Sequence, residues 1–187
     1  MSHKPYVVGI AGGTCSGKST LASLLAEAFS TKKVTLINMD RYFIRPSPTT
    51  IAPITRKEYV EHNHPSSLRL DELYADFHAA CDGDGDLVII EGLFALYLDE
   101  IRDRLDLKIF VDLESDERIV RRIKRFTAMG QTFEEVTDRY LDTVRFRHNE
   151  LIEPTRWHAD LVLNGNFLDG IGADVVVRYL AGQLDEQ

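Results

Sequence analysis

Eight residues near the start of the chain, Gly12-Gly13-Thr14-Cys15-Ser16-Gly17-Lys18-Ser19, form a G-x-x-x-x-G-K-S loop, the pattern that cradles a nucleoside triphosphate with magnesium. Glycines let successive backbone N–H groups turn into one concavity that a polyphosphate fits. The helix expected from Lys18 presents unpaired N–H groups and the positive end of its dipole to the same anion. Lys18 reaches the β- and γ-phosphates as a point charge, and Ser19 places its hydroxyl on Mg²⁺. Gly12 through Thr20 are the candidate nucleotide-binding residues. This motif names a ligand class and is silent on what is done with it.

Three further groups could act on a triphosphate held there. Asp40 stands in Asn38-Met39-Asp40-Arg41-Tyr42-Phe43, just after an apolar run. A carboxylate at that place could accept a proton from an attacking hydroxyl or hold Mg²⁺, or it could cap the next turn. Glu91 closes the run Asp86-Leu87-Val88-Ile89-Ile90 and precedes Gly92. That suits an acidic partner holding magnesium directly or through water, with a solvent-facing acid as the alternative. In Ser115–Arg125, Arg118, Arg122 and Arg125 share one face of an expected helix capped by Ser115, beside a buried stripe of Ile119, Ile123 and Phe126. Arginines next to a triphosphate could clamp the γ-phosphoryl group as charge shifts during transfer; a solvated basic face is the plain alternative.

Positioning these groups requires strands that end together. Candidate strands are Tyr6–Ala11, Val34–Met39, Leu87–Ile90, Leu107–Asp112 and Asp160–Leu163, most of them continuous apolar runs as in strands buried on both faces. Helical patterns fall between them: Lys18–Phe29, Leu70–Cys81, Thr132–Leu151 with Phe133, Val136, Tyr140 and Val144 on one face, and Gly172–Leu184, placed on the edge. Such alternation predicts an α/β fold with a parallel sheet and helices on both faces, where ligands sit at the carboxyl ends of the strands. Arg45–Pro65, with four prolines, reads as an irregular loop over the site.

With 187 residues, 44% of them hydrophobic and 28% charged, the chain suits a single domain. A formal net charge of −8 argues against a nucleic-acid or anionic-membrane surface. No apolar run approaches the ~20 residues needed to cross a bilayer, and the first residues lack a signal-peptide pattern. Two cysteines, Cys15 and Cys81, in no metal-like spacing, lead us to expect a cytoplasmic protein without disulfides. Asp82-Gly83-Asp84-Gly85-Asp86 departs from a calcium loop at its sixth and twelfth positions and reads as a tight turn. His62-Asn63-His64 has no third ligand nearby.

Taken in order, Gly12–Thr20, Asn38–Phe43, His64-Pro65, Ile89-Ile90-Glu91-Gly92, Phe110-Val111-Asp112, Arg121-Arg122-Ile123-Lys124-Arg125 and Glu153-Pro154-Thr155-Arg156-Trp157-His158-Ala159-Asp160 resemble the uridine kinase family, which stands with phosphoribulokinase among the P-loop kinases. The resemblance spans nearly the whole chain. It implies a P-loop NTPase fold with a five-stranded parallel sheet, one kinase domain over residues 1–187 and a mobile lid near residues 121–135. It also implies phosphorylation of a ribose 5′-hydroxyl from ATP or GTP with Mg²⁺. By the same resemblance Asp40 is the general base, Lys18 and Ser19 hold phosphate and metal, and Glu91 is the acidic metal partner. Arg122 and Arg125 belong to the lid, and Asp40, Tyr42, Asn63, His64 and Arg122 face the acceptor. The family often forms homo-oligomers.

This chain departs from that pattern on the acceptor side. Asn63 stands where the family usually carries an Asp that grips the ribose hydroxyls. The lid run ends Met129-Gly130-Gln131, lacking two arginines, and the pyrimidine-recognising insertion before the third parallel strand is missing. A kinase of a nucleoside or similar small alcohol, nicotinamide riboside included, is one expectation. A regulatory ATPase without an acceptor is the other; the lost lid arginines favour it and the retained Asp40 argues against it.

Overall fold

The computed structural model describes residues 4–185. In chain order the elements are β1 (Tyr6–Gly12), α1 (Lys18–Ala28), β2 (Val34–Asn38), β3 (Thr49–Ile51), β4 (Glu58–Val60), α2 (Leu70–Cys81), β5 (Leu87–Glu91), α3 (Asp99–Arg102), β6 (Leu107–Asp112), α4 (Ser115–Ala128), α5 (Phe133–Arg139), α6 (Arg145–Arg147), β7 (Leu161–Asn164) and α7 (Ile171–Asp185). Five strands form one sheet in the order β2-β5-β1-β6-β7, and every pairing in it is parallel. Each crossover carries helix onto a face, as parallel neighbours require.

Strand alternation sorts the central residues into two cores. Val8, Ile10, Leu87, Ile89, Leu107 and Ile109 face Leu21 and Leu25 of α1 and Val176 and Leu180 of α7. Val7, Ala11, Val88, Ile90 and Phe110 face Leu73 and Phe77 of α2 and Ile101 of α3. Because both faces are covered, β1 and β5 are buried along their whole length and read as unbroken apolar runs. Edge strands β2 and β7 are only partly buried, with Leu36 and Val162 turned to solvent. Each fully buried Leu or Ile in these cores stabilises the fold by about 1.5–3 kcal/mol relative to exposure.

Several details differ from the sequence expectations. The segment read as an irregular loop contains a β3–β4 hairpin, pairing Thr49 with Val60 and Ile51 with Glu58. Strands of three residues are too short to show a period. Glu114, not Ser115, occupies the cap position of α4, and no side chain caps that helix. Its buried positions are Arg118 and Arg122, whereas Ile119, Ile123 and Phe126 are only half-buried. Phe133 is 56% exposed, although Val136, Tyr140 and Val144 of the same stretch are buried as expected. The stretch from Phe133 is helical but not uniformly so, because π-helical segments at Tyr140–Val144 and His148–Ile152 flank α6. The last helix, α7, packs at the edge strand β7 as expected, and it also reaches the core beside α1.

Candidate active site

The sheet brings the carboxyl ends of β1, β2, β5 and β6 to one rim. At that rim β1 gives way to the glycine loop, where Gly12 (φ 144°) and Gly17 (φ 108°) take left-handed conformations that a side chain resists. Gly17 occupies the cap position of α1, and no side chain caps the helix, so none competes for its first-turn N–H groups. Lys18 folds back over the loop, its Nζ donating to the Gly13 carbonyl at 2.9 Å. Burial lowers the lysine's pKa, opposed by the negative charges of Glu91 and Asp40. Ser19 Oγ donates to Glu91 Oε1 at 2.9 Å. Burial raises the Glu91 pKa, while Lys18 and the Ser19 hydrogen bond pull it down.

A second loop packs on the first. Gly165 N donates to the Asp112 carbonyl at 2.7 Å, and a Cβ on Gly165 would lie 2.2 Å from the Ser16 carbonyl oxygen. Arg118 lies against Gly13 and donates from Nε to the Leu113 carbonyl at 2.9 Å. Ser16 Oγ, Arg118 Nη1 and Arg122 Nε are buried without a hydrogen-bond partner. Buried donors left unpaired are costly, and an anion seated in the loop is the group that would satisfy them.

Beside the loop opens a cleft of about 330 Å³, lined by residues of both halves of the expected site: Thr14, Cys15, Lys18, Ser19 and Glu91 on one side, with Asp40, Asn63, Arg122, Arg125 and Gln131. Asp40 does not cap its turn. Asn38 does, its side chain accepting from the Asp40 N–H at 2.8 Å, and the Asp40 carboxylate makes no hydrogen bond to the described residues. Arg122 donates from Nη1 to Thr14 Oγ1 at 2.8 Å and lies over the Phe126 ring at 4.4 Å. Arg118 and Arg122 are therefore buried against the phosphate loop, and α4 does not present them as a solvated face.

Two expected acceptor contacts lie elsewhere. Tyr42 donates to Asp76 of α2 at 2.7 Å and does not line the cleft; burial and that bond push its pKa up to about 12. His64 caps the turn at Pro65–Ser67, accepting from the Ser66 N–H, and is likewise outside the cleft wall. The cleft wall also carries residues that the sequence did not assign to the acceptor: Phe43, His62, Leu93 and Arg139. Asn63 is held by its N–H donating to buried Glu61 at 2.7 Å, and Glu61 is in turn gripped by Arg147 at 3.0 Å. A residue pattern gave no signal for Arg139, 76 positions beyond Asn63 in the chain yet on the same wall.

An oxygen-only pair, the Ser19 hydroxyl and the Glu91 carboxylate, with Asp40 in the same cleft, fits Mg²⁺, which takes few protein oxygens and fills its octahedron with phosphate and water. Among the described residues no cluster of three or more His, Cys, Asp or Glu gathers as a denser metal site. No helix among them is long and apolar enough to cross a membrane.

Residues 78–166 match the model of the phosphoribulokinase / uridine kinase family. A uridine kinase of Clostridium novyi (strain NT) is 30% identical, over 98% of this chain and 98% of its own. A uridine kinase of Lactococcus lactis subsp. lactis (strain IL1403) is 29% identical, over 98% and 99%. The latter alignment runs over 207 positions, whereas this chain has 187 residues, so the relative carries insertions that this chain lacks. Among solved structures, phosphoribulokinase from Rhodobacter spheroides superposes with a TM-score of 0.62 at 16% identity, covering 86% of this chain and 70% of that one. Shikimate kinase from Bacteroides thetaiotaomicron gives 0.56 at 17%, covering 96% and 98%. At those identities the structures establish the shared P-loop kinase fold, and the near full-length sequence match establishes more: the chain belongs to the phosphoribulokinase / uridine kinase family.

Proposed function

We propose that this protein is an ATP-dependent kinase that phosphorylates the hydroxyl of a small molecule, a nucleoside or another ribose-bearing alcohol. One observation carries the reading. The Asp40 carboxylate is unengaged and shares a cleft with Lys18 and the Ser19–Glu91 pair. A protein that only bound or hydrolysed ATP would have little use for a base left free beside its phosphate loop.

In this reading the loop N–H groups and Lys18 hold the β- and γ-phosphates, and Arg122 and Arg125 offset charge on the transferring group. Asp40 receives the acceptor's proton. Ser19 and Glu91 would hold Mg²⁺, which neutralises phosphate charge when bound. Residues 121–135 act as the lid of a single kinase domain, closing over the cleft from α4. Thr132 and Glu135, joined in a capping box, give the second half of that lid a firm start. Partners in this scheme are the nucleotide and a small acceptor, and the −8 charge argues against nucleic acid and membrane. A homo-oligomer and a cytoplasmic site of action complete the proposal.

The test is coupled ADP release over a panel containing uridine, cytidine, nicotinamide riboside, pantothenate and sugar phosphates, each against an acceptor-free control. Stimulation by one or more acceptors supports the kinase reading. Equal ADP release with and without every acceptor favours the regulatory ATPase, for which Gln131 in the cleft, where a lid arginine was expected, is the supporting observation.

A further inference from the structure

The acceptor wall contains a positive charge with no protein partner. Arg139 closes α5 and lines the cleft; its Nε is buried and unpartnered, and no described carboxylate pairs with its guanidinium. Three carboxylates near it are already engaged, and the free Asp40 carboxylate of the same cleft forms no ion pair with it. Asp138 pairs with Lys57 at 3.2 Å, Asp142 accepts from Thr55 and Tyr59 at 2.6 and 2.7 Å, and Glu61 is held by Arg147 and the Asn63 N–H. Next to Arg139 the wall carries His62, whose Nδ1 is also buried without a partner, and Asn63, which adds hydrogen-bonding atoms and no charge.

This cluster adjoins the arginines of the phosphate side in the same cleft, and the charge of Arg139 helps lower the Arg122 pKa. Lys18 and Glu91 both sense Arg125, and Arg122 is tied to Thr14 of the loop. His62 senses both Arg139 and Arg122, and Tyr59 senses Arg139. Burial and the charge of Arg139 lower the His62 pKa, opposed by Glu61 and Asp40. A half-buried guanidinium fork facing a substrate cleft, with no protein carboxylate paired to it, suits a planar or tetrahedral oxyanion.

We propose that Arg139, with His62 and Asn63, forms a subsite for an anionic group of the acceptor, a carboxylate or a phosphate, so that the substrate class is acidic ribose-bearing alcohols. The proposal rests on the kinase reading for its reaction and on the cleft wall for its specificity.

Three acceptors with the same free 5′-hydroxyl separate the possibilities: uridine, orotidine with an added base carboxylate, and uridine 3′-phosphate with an added phosphate. At least one anionic acceptor should exceed uridine in kcat/KM by roughly 10- to 100-fold, the worth of a charge-assisted hydrogen bond. Arg139→Gln should bring that ratio close to one, mainly through KM for the acceptor, and Arg139→Lys should keep part of it. Preference for uridine over both anions, or a ratio unchanged in both variants, overturns the subsite. Calorimetric titration of the same three compounds, with Mg²⁺ and a non-hydrolysable ATP analogue present, separates this proposal from the kinase reading. Tighter binding of an anion that Arg139→Gln abolishes sustains the subsite even if no acceptor is phosphorylated. Absence of tighter anion binding overturns it even if uridine is a good substrate.

Discussion

Gly165→Ala adds one methyl group at the contact between the loop after β7 and the phosphate loop. Its carbon would stand 2.2 Å from the Ser16 carbonyl oxygen and 3.2 Å from that of Asp112. Carbon–oxygen contacts settle near about 3.3 Å, so one loop must retreat by about 1 Å. Both obstructing atoms are backbone, and the Gly165 N–H is anchored on the Asp112 carbonyl at 2.7 Å, so neither side yields freely. Overpacking of this kind costs about 1–3 kcal/mol, which lowers the melting temperature of a domain this size by roughly 2–12 °C. The functional effect adds to this. Ser16 belongs to the phosphate cradle, and a displacement of about 1 Å near reacting groups can slow catalysis about 100-fold. Thermal melts with and without MgATP, together with coupled ADP release, read both effects. At about 100 Kd of nucleotide the parent gains about 2.7 kcal/mol, and the variant's ATP-induced shift should be clearly smaller. A variant that melts within about 1 °C of the parent and keeps its ATP shift and kcat would refute the steric argument.

Asp40→Asn should lower kcat by roughly 100- to 10,000-fold while ATP binding, followed by calorimetry, persists; a near-parental kcat contradicts its role as base. Glu91→Ala should raise the magnesium concentration for half-maximal rate at least about 10-fold, and an unchanged magnesium titration removes Glu91 from the metal site. His148 is buried, and burial with the charges of Arg118 and Lys18 lowers its pKa from 6.5 to about 3. Glu153, at 3.1 Å, opposes this, but its side chain is 43% exposed and water screens it. The native state thus keeps the ring neutral while the unfolded chain protonates near pH 6.5, so His148 contributes stability above that pH that is lost as pH falls toward 3. His148→Gln should therefore narrow its melting-temperature gap to the parent between pH 8 and pH 5; a constant gap contradicts the linkage.

The donor half of the site was legible because its chemistry is local. Gly12 to Ser19 are contiguous, and Glu91 ends a strand whose apolar run is unmistakable. Asp40 was legible in position, and the structure gives the cap of that turn to Asn38. The acceptor half was legible only in part, because sequence neighbours there point apart. Turns at Met39–Tyr42 and Pro65–Ser67 keep Asp40 and Asn63 in the cleft and carry Tyr42 and His64 away from it. Arg139 and His62 meet only through the packing of α5 near β4, a juxtaposition no local pattern encodes. On α4, periodicity assigned burial to Ile119, Ile123 and Phe126, but Arg118 and Arg122 face the anion-binding loop and are buried in their place. Packing of these arginines against the glycine loop overrides the usual apolar–polar sorting there.

The most direct test of the central claim is product formation with parent and Asp40→Asn protein, each incubated with MgATP and the acceptor panel and analysed by mass spectrometry for an acceptor heavier by one phosphoryl group. The account predicts stoichiometric ADP and phosphorylated acceptor from the parent, and neither above background from Asp40→Asn. ADP release by the parent with no phosphorylated acceptor anywhere in the panel, or equal product from Asp40→Asn, would contradict it.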